Sequence, residues 1–287
     1  MFAIYKKEMR SYFIQMIGYA FLAFMLLLFG IFFTLICVRG GDGNFQFVLS
    51  NVSIFFFILI PVLTMRLFSE EARQETDRLL FTSPLTITAI VLGKFFAAIS
   101  LFLMGLIITV ALPLLLGRYG ELPISQIAGA YVGFFLLGAA CIAIGVFISV
   151  LTENQIIAAV GTMAAIFVMF IMDGVAAGMP TSTFSSLAFV VFLIGVFGAV
   201  WYNSTKKIAA AILAGLIGIG VAAGLYFVNN LIFDGIIVRV LLWFSIFTRF
   251  NFFTRGILRV SDIVYYISFS ALFLYLTVNV IEKRRWR

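Results

Sequence analysis

A chain of 287 residues that is 64% hydrophobic and 11% charged, with a mean hydropathy of +1.19, cannot surface a water-soluble domain, which needs about a quarter of its residues charged. Histidine is absent and only Cys37 and Cys141 supply thiols, so histidine-based triads, most zinc chemistry and a disulfide framework are excluded. The net charge of +7 is accounted for below by topology, and nucleic acid is not needed to explain it.

Unbroken apolar runs near 20 residues, without polar alternation, reject a β-barrel and predict an all-α polytopic membrane protein in a single domain, 1–287. Residues 1–15 place Phe2, Ile4, Tyr5, Met9, Tyr12 and Phe13 among Lys6, Lys7 and Arg10, the pattern of a helix lying on the inner membrane surface. The run that follows, 16–38, is longer than a signal-peptide core and is read as an uncleaved first span. Further spans are expected at 50–67, 94–117, 126–151, 155–173, 184–202, 208–228 and 263–281, making eight. Gly129-x-x-x-Gly133 and Gly220-x-x-x-Gly224 allow close helix approach, with packing inside the bundle preferred over a dimer seam.

With the N-terminus inside, thirteen Lys and Arg fall on the cytoplasmic side and six on the outer side, and every lysine is inside. The positive-inside rule therefore puts both termini in the cytoplasm. On the outer side, 229–262 is too apolar for a free loop and too interrupted by arginine for an ordinary span. It is expected to dip into the outer leaflet as re-entrant helices, with Arg239, Trp243, Arg249 and Arg255 as residues of an external gate.

The cytoplasmic connection 66–93 carries six charged residues in the nine positions 70–78, between long apolar runs. Glu70 and Glu71 come first, where they favour a helix dipole; Arg73, Glu75, Thr76 and Arg78 follow; then come the apolar Leu79, Leu80 and Phe81 before Thr82-Ser83-Pro84. A short amphipathic helix with an apolar tip would dock a cytoplasmic protein, and the alternative is a solvated loop. No ionisable residue lies near the centre of an expected span, so ion-coupled transport lacks its usual carriers. No P-loop is present, since Gly93-Lys94 is followed by Phe95. Active transport would need another protein's ATP.

The stretch RLFSEEARQETDRLLFTSPLTITAIVLGKFFAA resembles the segment between the second and third spans of ABC-2 type permeases, the membrane subunits of ATP-binding-cassette transporters. Glu71, Thr76, Leu79, Leu80, Thr82, Pro84, Gly93 and Lys94 fit the family pattern, in which a Gly-Lys pair opens the next helix. Glu75 stands where the family often has Gly, which implies a more fully helical turn. The N-terminal amphipathic stretch and Arg255 to Tyr266 look similar to the gliding-motility-associated branch.

The resemblance implies a non-enzymatic permease subunit of an exporter in a bacterial inner membrane, working as a homodimer or with a sister permease. It also implies a coupling helix seated in a separate ATPase subunit, two copies per complex, which would hold the ATP and Mg. Glu70, Glu71, Arg73, Glu75, Thr76, Arg78, Leu79, Leu80 and Pro84 are the coupling residues so implied. A non-transporting scaffold or sensor using the same loop is the competing expectation.

Overall fold

The computed structural model describes residues 1–41, 43–75, 86–118, 122–183, 185–191, 194–195 and 235–285. Among these there are helices and no strands. The chain divides into two compact units, Met1–Phe170 with Ile246–Arg287, and Ile171–Ser245.

The first unit begins with α1 (Phe2–Ile14), whose Ile4 and Tyr12 are buried while Lys6, Lys7 and Arg10 are exposed. The chain turns sharply at Met16, which has φ 60°, and enters α2 (Ile17–Phe33). A Cβ on Gly18 would lie 3.1 Å from the Tyr12 carbonyl oxygen, so only glycine fits this corner without displacement. A π-helical stretch, Thr34–Arg39, continues α2. Then α3 (Gln46–Ser53) and α4 (Phe56–Thr64) meet at a 64° bend. A short α5 (Ser69–Arg73) precedes α6 (Ile87–Thr109), α7 (Ala111–Leu116), α8 (Ile124–Leu151) and α9 (Gln155–Gly178). After the second unit come α11 (Ile246–Thr254) and α12 (Val260–Arg285).

The centre of this unit is α8. Most of its apolar window, 72%, is buried, against 17% for α9, so α8 is the core of this unit and α9 is largely exposed. It packs against α3, α4, α6, α11 and α12. Small residues make room for these neighbours: a Cβ at Gly133 would come within 2.5 Å of Phe253, at Gly138 within 2.4 Å of Phe102 and at Gly145 within 2.2 Å of Thr64. Gly129 faces the Phe253 carbonyl oxygen, so the Gly129-x-x-x-Gly133 pair packs inside the subunit, as expected. Between the glycines, the buried Phe134 ring meets Phe29, Phe56, Phe102 and Phe250 at centroid distances of 4.7–6.2 Å, mostly edge to face. One aromatic side chain thereby joins α2, α4, α6 and α11 to α8.

The second unit holds the end of α9 beyond Phe170, helical residues 185–191 and α10 (Ile236–Phe244). Gly235, at φ 64°, starts α10 and donates its N–H to the Thr181 carbonyl. Most of the expected 184–202 span and all of 208–228, including Gly220-x-x-x-Gly224, lie outside the described residues.

Among the described residues, five helical segments are long and apolar enough to cross a membrane: 17–39, 87–116, 124–151, 155–178 and 260–284. The number rises to seven if the broken pairs α3–α4 and α10–α11 each count as a span. The five segments and the α3–α4 pair fall on the expected spans other than 184–202 and 208–228, which lie mostly or wholly outside the described residues, and the α10–α11 pair falls on none of them. The segment 229–262, expected to be re-entrant, is a broken helix pair where described.

The third span departs from expectation. It opens at Ile87, seven residues before the expected start, with Thr86 as N-cap accepting from the Ala89 N–H. Gly93-Lys94 therefore lies about two turns inside α6 and does not open it. The Lys94 charge lowers the local hydropathy and hides this helical run, but the folded chain supplies the charge with partners.

Candidate functional site

Lys94 is one of the largest fully buried side chains of the described residues, 1% exposed. Its ammonium Nζ lies 3.0 Å from Glu8 Oε1 and 2.9 Å from Glu71 Oε2, and donates to the Leu67 carbonyl at 2.5 Å. Two of its three N–H donors are taken by Glu8 Oε1 and the Leu67 carbonyl, and Glu71 Oε2 faces it as an ion-pair partner without hydrogen-bond geometry. The Phe68 ring, 4.9 Å from Nζ, covers a further side. Burying an ammonium requires this degree of pairing, because an unpaired one would lose several kcal/mol of hydration.

Each partner belongs to a different element. Glu8 is on α1 and is the only acidic residue before Asp42; Glu71 is on α5; Lys94 is on α6. Glu71 Oε1 also pairs with Lys7 of α1 at 3.0 Å. Burial alone lowers the Lys7 pKa, but attraction and a hydrogen bond from Glu71, with attraction from Glu8, outweigh it and raise the value above 10.5. Two lysines and two glutamates make the cluster neutral. Gly93 lets α1 come close enough to contribute: a Cβ there would sit 3.1 Å from Ile4 and 3.2 Å from the Met1 carbonyl oxygen.

The segment α5 is also fixed to α8. The backbone N–H groups of Phe68 and Ser69 both donate to Ser149 Oγ, at 3.1 and 3.2 Å, so a distant side chain caps this five-residue helix. Ser69 Oγ donates to the Met65 carbonyl. Arg66 forms a two-pronged pair with Glu70, 2.8 and 2.9 Å, across one helical turn. Nearby, the Tyr12 hydroxyl donates to the Leu63 carbonyl at 3.0 Å and the Tyr5 hydroxyl to Ser100 Oγ at 3.1 Å. The N-terminal helix, the start of the 66–93 connection, α6 and α8 thus meet in one polar junction.

The sequence-derived coupling residues fall into three groups. Glu70 and Glu71 are engaged inside the junction; Arg73 and Glu75 are exposed; Thr76, Arg78, Leu79, Leu80 and Pro84 lie outside the described residues. The more fully helical turn implied at Glu75 is not found. The helix ends at Arg73, and Glu75 has φ 53°, the left-handed conformation in which glycine is favoured. The residue differs from the family's glycine while the backbone conformation suits one. Lys94, Glu8, Lys7 and Ser149 were missed as site residues, although Gly93-Lys94 in the family pattern and a lone acid among N-terminal bases were available signals.

About 23 residues along α8 from Ser149, roughly 35 Å at 1.5 Å per residue, the opposite end of the first unit contains Arg249 of α11 and Arg255 just after it. Arg249 pairs with the buried Asp262 at 2.8 Å, its guanidinium 3.9 Å from the Tyr265 ring centroid. Tyr266 donates to the Ile246 carbonyl at 2.6 Å, and these contacts hold α11 to the start of α12. Arg255 is exposed. Arg239 and Trp243, one turn apart and both exposed, belong to α10 in the second unit.

The family described as ABC-2 family transporter protein matches residues 39–194, more than half of the chain. No curated protein and no solved structure matches significantly.

Proposed function

The chain belongs to the ABC-2 family of transporter proteins and is a multi-pass permease component; on that premise we propose that it serves an exporter whose ATP hydrolysis occurs on a separate ATPase subunit, coupled through 66–93. Two ATPase copies would act on two permeases, a homodimer or a pair of sister subunits, in a bacterial inner membrane with both termini cytoplasmic. ATP and Mg belong to the ATPase. The gliding-motility-associated branch is the family branch we favour, and the external segment 229–262 acts as the outer gate in this reading.

The observation that carries the proposal is the buried Lys94 bridging Glu8 of α1 and Glu71 of α5. A force applied to the 66–93 connection would pass through Glu71 and Lys94 into α6, and through Ser149 into α8, without first bending a flexible linker. The exposed Arg73 and Glu75, with Arg78, are suited to contact the ATPase, whereas Glu71 transmits motion from inside the junction. ATP-driven closure then shifts the permease by binding one of its states more tightly than the other.

The test separates contact from transmission. Arg73→Glu with Arg78→Glu should abolish co-purification of the ATPase subunit, while Lys94→Met should retain co-purification and lose transport-coupled ATP turnover. Unchanged co-purification of the double charge reversal would remove the docking claim. Stimulation of ATPase activity by cargo in proteoliposomes distinguishes an exporter from a scaffold, which would give none.

A further inference from the structure

The N-terminal helix α1 has two unlike faces. Ile4, Glu8 and Tyr12, four residues apart, form its inward row: Ile4 lies against Gly93, Glu8 pairs with Lys94 at 3.0 Å, and the Tyr12 hydroxyl donates to the Leu63 carbonyl. Phe2, Lys6, Arg10 and Ile14, also four residues apart, form a row roughly opposite, and all four are exposed. Phe2 is 76% and Ile14 67% exposed, so this row offers apolar surface at its ends and two cations between them. Lys6 and Arg10 make no ion pair among the described residues, whereas Lys7 beside them is committed to Glu71.

The depth of α1 is set by its neighbours. The segment 17–39 has 23 residues, roughly 35 Å at 1.5 Å each, against about 30 Å of hydrocarbon, so Ile17 stands at the membrane boundary. The corner at Met16 turns the chain out of that span, and α1 packs on α6 at Gly93, within two turns of the start of another span. Met16 and Tyr19, both exposed, continue the apolar surface of the outward row into α2. Continuity with a membrane-crossing helix favours lipid over a soluble protein as the occupant. Cations between apolar ends at this depth match a phospholipid whose headgroup is anionic, with Phe2 and Ile14 against acyl chains.

We infer that the outward row of α1 is a binding site for an anionic phospholipid headgroup, with Lys6 and Arg10 on its phosphate oxygens. The lipid then holds from outside the same helix that gives Glu8 to Lys94 from inside. This depends on the chain being a membrane permease and not on ATPase coupling through 66–93.

The test uses the full chain, without the ATPase subunit, in neutral-detergent micelles. An environment-sensitive maleimide dye is placed on Ala3→Cys, an exposed position, while the buried Cys37 and Cys141 escape labelling. Titrated phosphatidylglycerol should give a saturable blue shift and phosphatidylcholine none. Lys6→Gln with Arg10→Gln should raise the midpoint roughly thirtyfold, about fivefold for each cation, and Lys6→Arg with Arg10→Lys should leave it in place. Lys283→Gln with Arg284→Gln, at exposed cations on the end of α12, should also leave it in place. No saturable shift, an equal shift with phosphatidylcholine, or an equal loss from the α12 pair would overturn the site. An unmoved lipid midpoint in Lys6→Gln with Arg10→Gln, together with lost co-purification of the ATPase, would assign the row to the ATPase instead.

Discussion

Replacing Lys94 by Met removes a charge and nearly preserves volume, so its effect reports the ion-pair junction. The lysine is 1% exposed and its partners Glu8 and Glu71 are 12% and 14% exposed. Removal leaves the Glu8 and Glu71 carboxylates near one another without the buried ammonium, while Lys7, paired with Glu71, is itself 60% exposed. Breaking a buried pair by removing one partner typically costs about 3–5 kcal/mol, and Lys94→Met should fall in that range. Neutralising all three groups, Lys94→Met with Glu8→Gln and Glu71→Gln, takes away both the attraction and the burial penalty, so it should recover at least half of the loss. Reversible unfolding in mixed micelles measures both variants. A single-variant cost below about 1 kcal/mol, or a triple variant no more stable than the single, would refute the claim that pairing is what permits this lysine to be buried.

Gly133→Leu should destabilise by about 1–3 kcal/mol, because its side chain would enter space held by Phe253; an unchanged unfolding midpoint would contradict the packing. Glu75→Val should weaken the end of α5 by about 1–2 kcal/mol, seen as faster amide exchange over 69–73, whereas Glu75→Gly should not, since only the former is strained at φ 53°. Asp262→Ala should cost about 2 kcal/mol by leaving Arg249 without its 2.8 Å partner, measured by the same unfolding assay. The raised Lys7 pKa means that its contribution is complete below 10.5 and is lost only as pH rises through the higher folded value. Lys7→Met should therefore lower the melting temperature equally at pH 7 and pH 9, with the difference shrinking above pH 10.5.

Composition and apolar run length were enough to identify a helical membrane protein, because lipid permits few backbone solutions. The same signal misplaced the start of α6. A hydropathy reading ends a span at a lysine, and only the approach of Glu8 and Glu71, 86 and 23 positions away in sequence, turns Lys94 into an interior residue. Thr86 was a local sign of the true start, but its capping role is decided by the backbone. Glu75 shows the converse: the family pattern has glycine there, and the backbone keeps the conformation that glycine favours although the side chain differs. The cleft lined by Gln46, Gln126 and Asn251 was not legible either, since tertiary folding alone brings these residues together.

Coupling through 66–93 is tested most directly by cross-linking. Cys37 and Cys141 are buried, so Arg73→Cys can carry a single benzophenone maleimide on an exposed position. Illumination of the complex in nanodiscs should yield one adduct with the ATPase subunit, its amount changing between nucleotide-free and ATP-bound samples. A labelled Arg73→Cys that gives no adduct with the ATPase in either state would contradict the account.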